Sequence, residues 1–166
     1  MEAYRTQIKI KDPKHFGLRI GIARLLVGII TVFILQAAFA FIFSPGGFVY
    51  AYELSGAAGE AAVRGFGVLF LMWNVPYLFA ILDPVRYRLA LYFAMFTQLI
   101  GLIGVSCIFF TLSVEHVTLR NTNLRFIVFN AIGLLLLAIA YFLVKDSLPY
   151  KYGQTLGTNG RLNVRL

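Results

Sequence analysis

Asp, Glu, Lys, Arg and His are absent from residues 25–52, 65–82, 89–114 and 126–144. These apolar runs hold 28, 18, 26 and 19 residues, near or above the roughly 17–25 with which a helix crosses a bilayer. Inside lipid every backbone amide must be paired within the protein, which leaves helices or a closed barrel. Barrel strands are ~9–11 residues long and alternate apolar with polar positions; these runs are too long and are apolar on all sides. The pattern therefore predicts an all-α protein, an integral membrane four-helix bundle with up-down-up-down topology and short turns.

Breakers place the boundaries. The first helix is expected over residues 18–44, stopped by Ser44-Pro45-Gly46-Gly47. Residues 45–59 form the longest loop. There Phe48, Tyr50 and Tyr52 alternate with Val49 and Ala51, reading as a short extended segment at the membrane interface, where aromatic rings are favoured. The second helix, 60–82, ends at Asp83-Pro84, and Pro76 within it removes the amide that would bond the Met72 carbonyl, predicting a kink. The third spans 86–113, residues 114–122 form a polar turn, and the fourth spans 123–145. Residues 1–17 are a basic arm in which Asp12-Pro13 marks a turn, 18–145 the transmembrane domain, and 146–166 an irregular tail. Ala38-Phe39-Ala40 resembles a signal-peptide cleavage site. The preceding basic segment is long for a leader, however, and the apolar run continues through Phe41, Ile42 and Phe43, so the first helix is read as retained.

Composition agrees. The 166 residues are 60% hydrophobic and 13% charged, with a mean hydropathy of +0.80. A soluble domain is about 45–50% apolar and about 25% charged. A soluble enzyme, a soluble nucleic-acid binder and a disordered chain are excluded, and no room is left for a second folded domain. The net charge of +8 then points to anionic lipid headgroups rather than to nucleic acid. Twelve Lys and Arg residues fall on the side of the arm, the second–third turn and the tail. Only Arg64, Arg120 and Arg125 fall on the other, with Glu53, Glu60 and Glu115. The positive-inside rule places both termini in the cytoplasm. The single cysteine, Cys107, cannot form an internal disulfide and reads as a small buried hydrophobe.

Each helix carries one amide side chain within its apolar run: Gln36, Asn74, Gln98 and Asn130. At ~1.5 Å rise per residue, Gln36 and Asn130 share one depth near the outer face, and Asn74 and Gln98 share the mid-depth. Two interhelical hydrogen-bonded pairs are one expectation. A polar spot lining a pocket for a quinone, lipid or pigment, with Trp73, Asn74 and Gln98 around it, is the other. At the outer face Glu60 and Arg64, spaced i,i+4, are expected to pair. Glu115, His116 and Arg125 reach the same level, so the five form either an acid–base site or a set of interfacial ion pairs. No spacing matches a metal motif. Gly17, Gly21 and Gly28 lie on one stripe of the first helix and permit close approach of another helix, internal or from a partner chain.

The stretch from Arg24-Leu25-Leu26-Val27-Gly28 to Ser44-Pro45 resembles the opening of DoxX-like small membrane proteins. Arg64-Gly65-Phe66-Gly67-Val68, followed by Asp83-Pro84-Val85-Arg86-Tyr87-Arg88, is similar to the second helix and short turn of that family. The resemblance covers residues 20–145, and what it implies is a four-helix membrane fold. Three functional classes stay open. One is a non-catalytic accessory or scaffold subunit, contacting lipids and other membrane chains or further copies of itself. The second is a binder of a hydrophobic ligand between the helices, its cofactor not specified by any motif. The third is a small membrane enzyme using the outer charged cluster.

Overall fold

The computed structural model describes residues 13–145, with side chains from Gly17 onward. The tail and most of the arm lie outside the described residues. The elements are α1 (Pro13–Phe43), a short α2 (Gly46–Val49), a 3-10 turn over Tyr50–Tyr52, α3 (Gly56–Leu82), α4 (Arg88–Thr111) and α5 (Val117–Val144). Among the described residues the structure is helical, without strands. The four long helices are each long and apolar enough to cross a membrane, which agrees with a multi-pass membrane protein.

Several boundaries differ from expectation. α1 starts at Pro13, a residue pre-set for the first helical turn because its φ is fixed and its missing N–H would have no helical partner there. The 45–59 segment is not extended: α2 and the 3-10 turn coil through it, and its run of apolar residues suits a helical turn as well as a strand. α3 begins four residues earlier than expected, and runs through Pro76 to Leu82. α5 begins at Val117 rather than 123, and its first turn is met by the Glu53 carboxylate, which accepts the Leu119 N–H.

α1 packs against α3 and α5, and α4 packs against the same two, so the long helices close a four-membered ring. Neighbours are antiparallel. Along α1 and α3, Ala38 lies beside Gly67 and Thr31 beside Asn74; along α4 and α5, Gln98 lies on Gly133 and Arg88 reaches Val144. The buried set is narrow: Ala23, Val27, Ile30 and Ile34 of α1 meet Tyr77, Ala80, Leu91, Ala94, Leu137 and Val144. Most bulky apolar side chains point outward instead. Leu25 is 63% exposed, Phe96 60%, Leu135 60% and Phe110 82%. Water-facing surfaces rarely carry apolar patches on this scale. Cys107 also faces outward, correcting the expectation that it is buried; it sits on the broad apolar exterior of α4.

Both ends of α5 are capped by charges from other elements. Glu53, with left-handed backbone (φ 53°), accepts the Leu119 N–H at 3.1 Å at the helix N-terminus. Arg88 donates to the Val144 and Lys145 carbonyls at 2.9 and 2.6 Å at its C-terminus. An anion at the start of a helix and a cation at its end both complement the helix dipole.

Candidate functional site

The mid-bundle amides do not pair as their depths suggested. Asn74 is buried and donates to the Thr31 carbonyl of α1 at 3.4 Å, not to Gln98. Gln98 is buried and accepts from the Tyr77 hydroxyl at 2.6 Å. Asn130 bonds back to the Phe126 carbonyl of its own helix at 2.7 Å. Gln36 lies on the exposed face of α1, two residues from buried Ile34 and Ala38, and so on the opposite side of a helix with about 3.6 residues per turn.

Gln98 and Asn130 have a second role in packing. A Cβ at Gly133 would run into Gln98 Nε2, and one at Gly101 would meet Asn130 Oδ1 at 2.7 Å. Each amide therefore rests on the other helix's glycine, one turn apart, in a reciprocal pair of Gln98-x-x-Gly101 and Asn130-x-x-Gly133. The repeated amide-x-x-Gly spacing was the sequence signal for this contact. The core polar cluster also includes Tyr77 and Thr31, which the sequence reading did not single out. Two buried atoms in it, Asn74 Oδ1 and Gln98 Nε2, have no hydrogen-bond partner among the described residues.

Trp73 does not join this cluster. It faces outward at 45% exposure, its ring 6.4 Å from Phe70. Phe70 belongs to an aromatic group with Phe41, Tyr52 and Phe126 that ties the 3-10 turn to α1, α3 and α5. Burial there pushes the Tyr52 hydroxyl to a higher pKa. The structure thus separates Trp73 from Asn74 and Gln98, placing one on the exterior and two in the core.

The outer charges are likewise divided. Glu60 and Arg64 approach to 3.6 Å on one face of α3, both about half exposed. A pair so wet contributes roughly 0–1 kcal/mol. His116 pairs instead with Glu53, through Nδ1 and the carboxylate. That hydrogen bond first, and the Leu119 amide second, hold the Glu53 carboxyl below its ordinary pKa. Arg120 donates to the Leu112 carbonyl at 2.7 Å and stacks over Phe109 at 4.5 Å, and Thr122 bonds the Ala51 carbonyl at 2.7 Å. Glu115 and Arg125 are exposed and form no ion pair among the described residues. The five residues of the expected cluster are not joined in one hydrogen-bonded constellation. Glu53, which is not one of the five, is the residue that joins His116 to the first turn of α5.

The glycines fall into two groups. Gly67 has the Ala38 carbonyl 2.7 Å from its hypothetical Cβ, and Gly59 has Leu54 at 2.9 Å, so both permit close internal approach. Gly17, Gly21 and Gly28 meet nothing within 4 Å. Among the described residues, then, their stripe does not pack on the other helices of the chain. A shallow groove of about 600 Å³ runs along this outer face of α1, between Arg24 and Phe33 and past Gly28. No protein-family model, curated protein or solved structure matches the chain.

Proposed function

We propose that this chain is a multi-pass membrane protein with both termini in the cytoplasm. Its function in this reading is that of a non-catalytic accessory or scaffold subunit, packing the outer face of α1 against a transmembrane helix of another chain or a second copy. The kinship to DoxX-like proteins is proposed at the level of fold alone. The observation that carries the reading is the contrast between glycines. Gly59, Gly67, Gly101 and Gly133 each have an internal neighbour that a side chain would strike, whereas Gly17, Gly21 and Gly28 share one stripe of α1 with open space around them among the described residues, and Gly28 lines the groove on its exterior. Gly47, Gly56, Gly65 and Gly104 are also open, but not aligned with one another along a long helix. Glycines aligned on a helix let a second backbone approach, gaining dispersion and Cα–H···O contacts that mobile lipid chains supply less well.

The competing readings draw less support. A ligand pocket bounded by Trp73, Asn74 and Gln98 would need these residues on one wall. An acid–base site would need Glu60, Arg64, Glu115, His116 and Arg125 within reach of one substrate atom, and His116 is engaged by Glu53.

The test is Gly21→Leu with Gly28→Leu, compared with the wild type after gentle detergent extraction. The expected result is unchanged helix content with loss of the associated chains. Retention of the same assembly by the double variant would remove α1 as the contact surface. Failure of the monomer to fold would contradict the open space around these two glycines.

A further inference from the structure

A second groove, of about 410 Å³, lies between α3 and α4 near the Asp83–Tyr87 turn. Its walls are apolar, from Val75, Pro76, Phe79, Ala90 and Phe93, and Arg86 stands at its end. The turn that presents Arg86 is fixed. Asp83 Oδ1 accepts the backbone N–H groups of Val85 and Arg86 at 3.0 and 2.9 Å. The Arg86 guanidinium lies 5.5 Å from the centre of the Tyr87 ring, and that ring packs against Phe79 at 5.6 Å. Asp83 is thereby committed to backbone donors, and Arg86 is exposed with no carboxylate partner among the described residues. Arg88, two residues on, is turned away to the carbonyls at the end of α5.

We infer that this groove is a binding site for one anionic phospholipid, its phosphate on Arg86 and an acyl chain along Phe79, Val75, Ala90 and Phe93. A guanidinium can bind a phosphate through two parallel charged hydrogen bonds. The cation-bearing end of a groove otherwise lined with apolar side chains matches a molecule that is anionic at one end and hydrocarbon along the rest. The groove's volume is within the range of ligand clefts, about 300–1,000 Å³. Arg86 also lies at the end of the bundle that carries Arg19, Arg88 and Lys145 among the described residues, the side that faces the anionic leaflet in the proposed orientation. The inference rests on the chain spanning a membrane, but not on its having a protein partner.

The experiment is native mass spectrometry of the full chain in detergent, with added phosphatidylglycerol or phosphatidylcholine of identical acyl chains. One phosphatidylglycerol should be retained in preference to phosphatidylcholine. Arg86→Gln should lower that preference about fivefold, the effect of one basic residue near an anionic surface, while Arg19→Gln, at the same end but outside the groove, should leave it unchanged. Ala90→Phe, which fills the groove and keeps the charge, should weaken retention of both lipids. Equal losses in the Arg19 and Arg86 variants would reduce the effect to general surface charge and overturn the site. Displacement by soluble glycerol phosphate would show a phosphate site rather than a lipid site. A chain that stays in aqueous solution without detergent would overturn the membrane reading and this inference with it. A chain that needs detergent but shows no lipid preference would overturn this inference alone.

Discussion

Gly67 and Gly65 lie two residues apart on α3, yet a methyl group should have opposite consequences at the two positions. At Gly65 a Cβ meets nothing within 4 Å. At Gly67 it would sit 2.7 Å from the Ala38 carbonyl oxygen, 2.7 Å from Ile42 Cγ1 and 3.1 Å from the Ile42 nitrogen. Two of these atoms are backbone and cannot rotate away. Restoring a contact of ~3.5 Å requires α1 and α3 to part by about 0.8 Å at their tightest approach, and overpacking of this kind costs about 1–3 kcal/mol. Alanine gains about 1 kcal/mol over glycine in intrinsic helix preference, and that gain is common to both sites. Gly67→Ala should therefore be less stable than Gly65→Ala by about 1–3 kcal/mol, with Gly65→Ala at or above the wild type. Trp73 is the only tryptophan and lies six residues from Gly67, so denaturant titration in mixed micelles can be followed by its fluorescence. Equal stability of the two variants would refute the close α1–α3 approach and the bundle geometry built on it.

Arg88→Met should destabilise the bundle by about 1.5–3 kcal/mol, the worth of charged hydrogen bonds, and hydrogen exchange should show faster opening at the last turn of α5. The depressed Glu53 pKa fixes a sign for acid stability: its contribution is present above the unfolded carboxylate value and is lost as pH falls through the lower folded value. Glu53→Gln should flatten that acid limb, and an unchanged limb in a pH series of unfolding curves would show that Glu53 does not stabilise the α5 N-terminus. With Cys107 replaced by serine, a cysteine at position 86 should react with an impermeant reagent only from the cytoplasmic side, and one at 115 only from the opposite side; the reverse pattern would invert the proposed orientation.

The number of long helices was legible because crossing length is a property of uninterrupted apolar sequence, independent of how helices meet. The polar partners were not, because residue number supplies depth along a helix but no azimuth relative to neighbours. Gln36 and Asn130 share a depth, yet Gln36 points outward and Asn130 toward Gly101. Asn74 and Gln98 are buried, but their partners, Thr31 and Tyr77, are less polar residues that hydropathy does not mark. The early start of α5 depended on Glu53, whose carboxylate arrives from a loop more than sixty residues away in sequence. The uniform apolarity of α1 hid which side of it packs: the buried positions Ala23, Val27, Ile30, Ile34 and Ala38 are no more hydrophobic than those facing out.

The central claim, that this bundle is one part of a larger membrane assembly, is tested most directly by the mass of the wild-type protein particle after gentle detergent extraction and subtraction of bound detergent. The expected result is a discrete mass well above the 18.6 kDa of one chain, with fixed stoichiometry. A homogeneous particle containing a single chain, folded and alone, would contradict it.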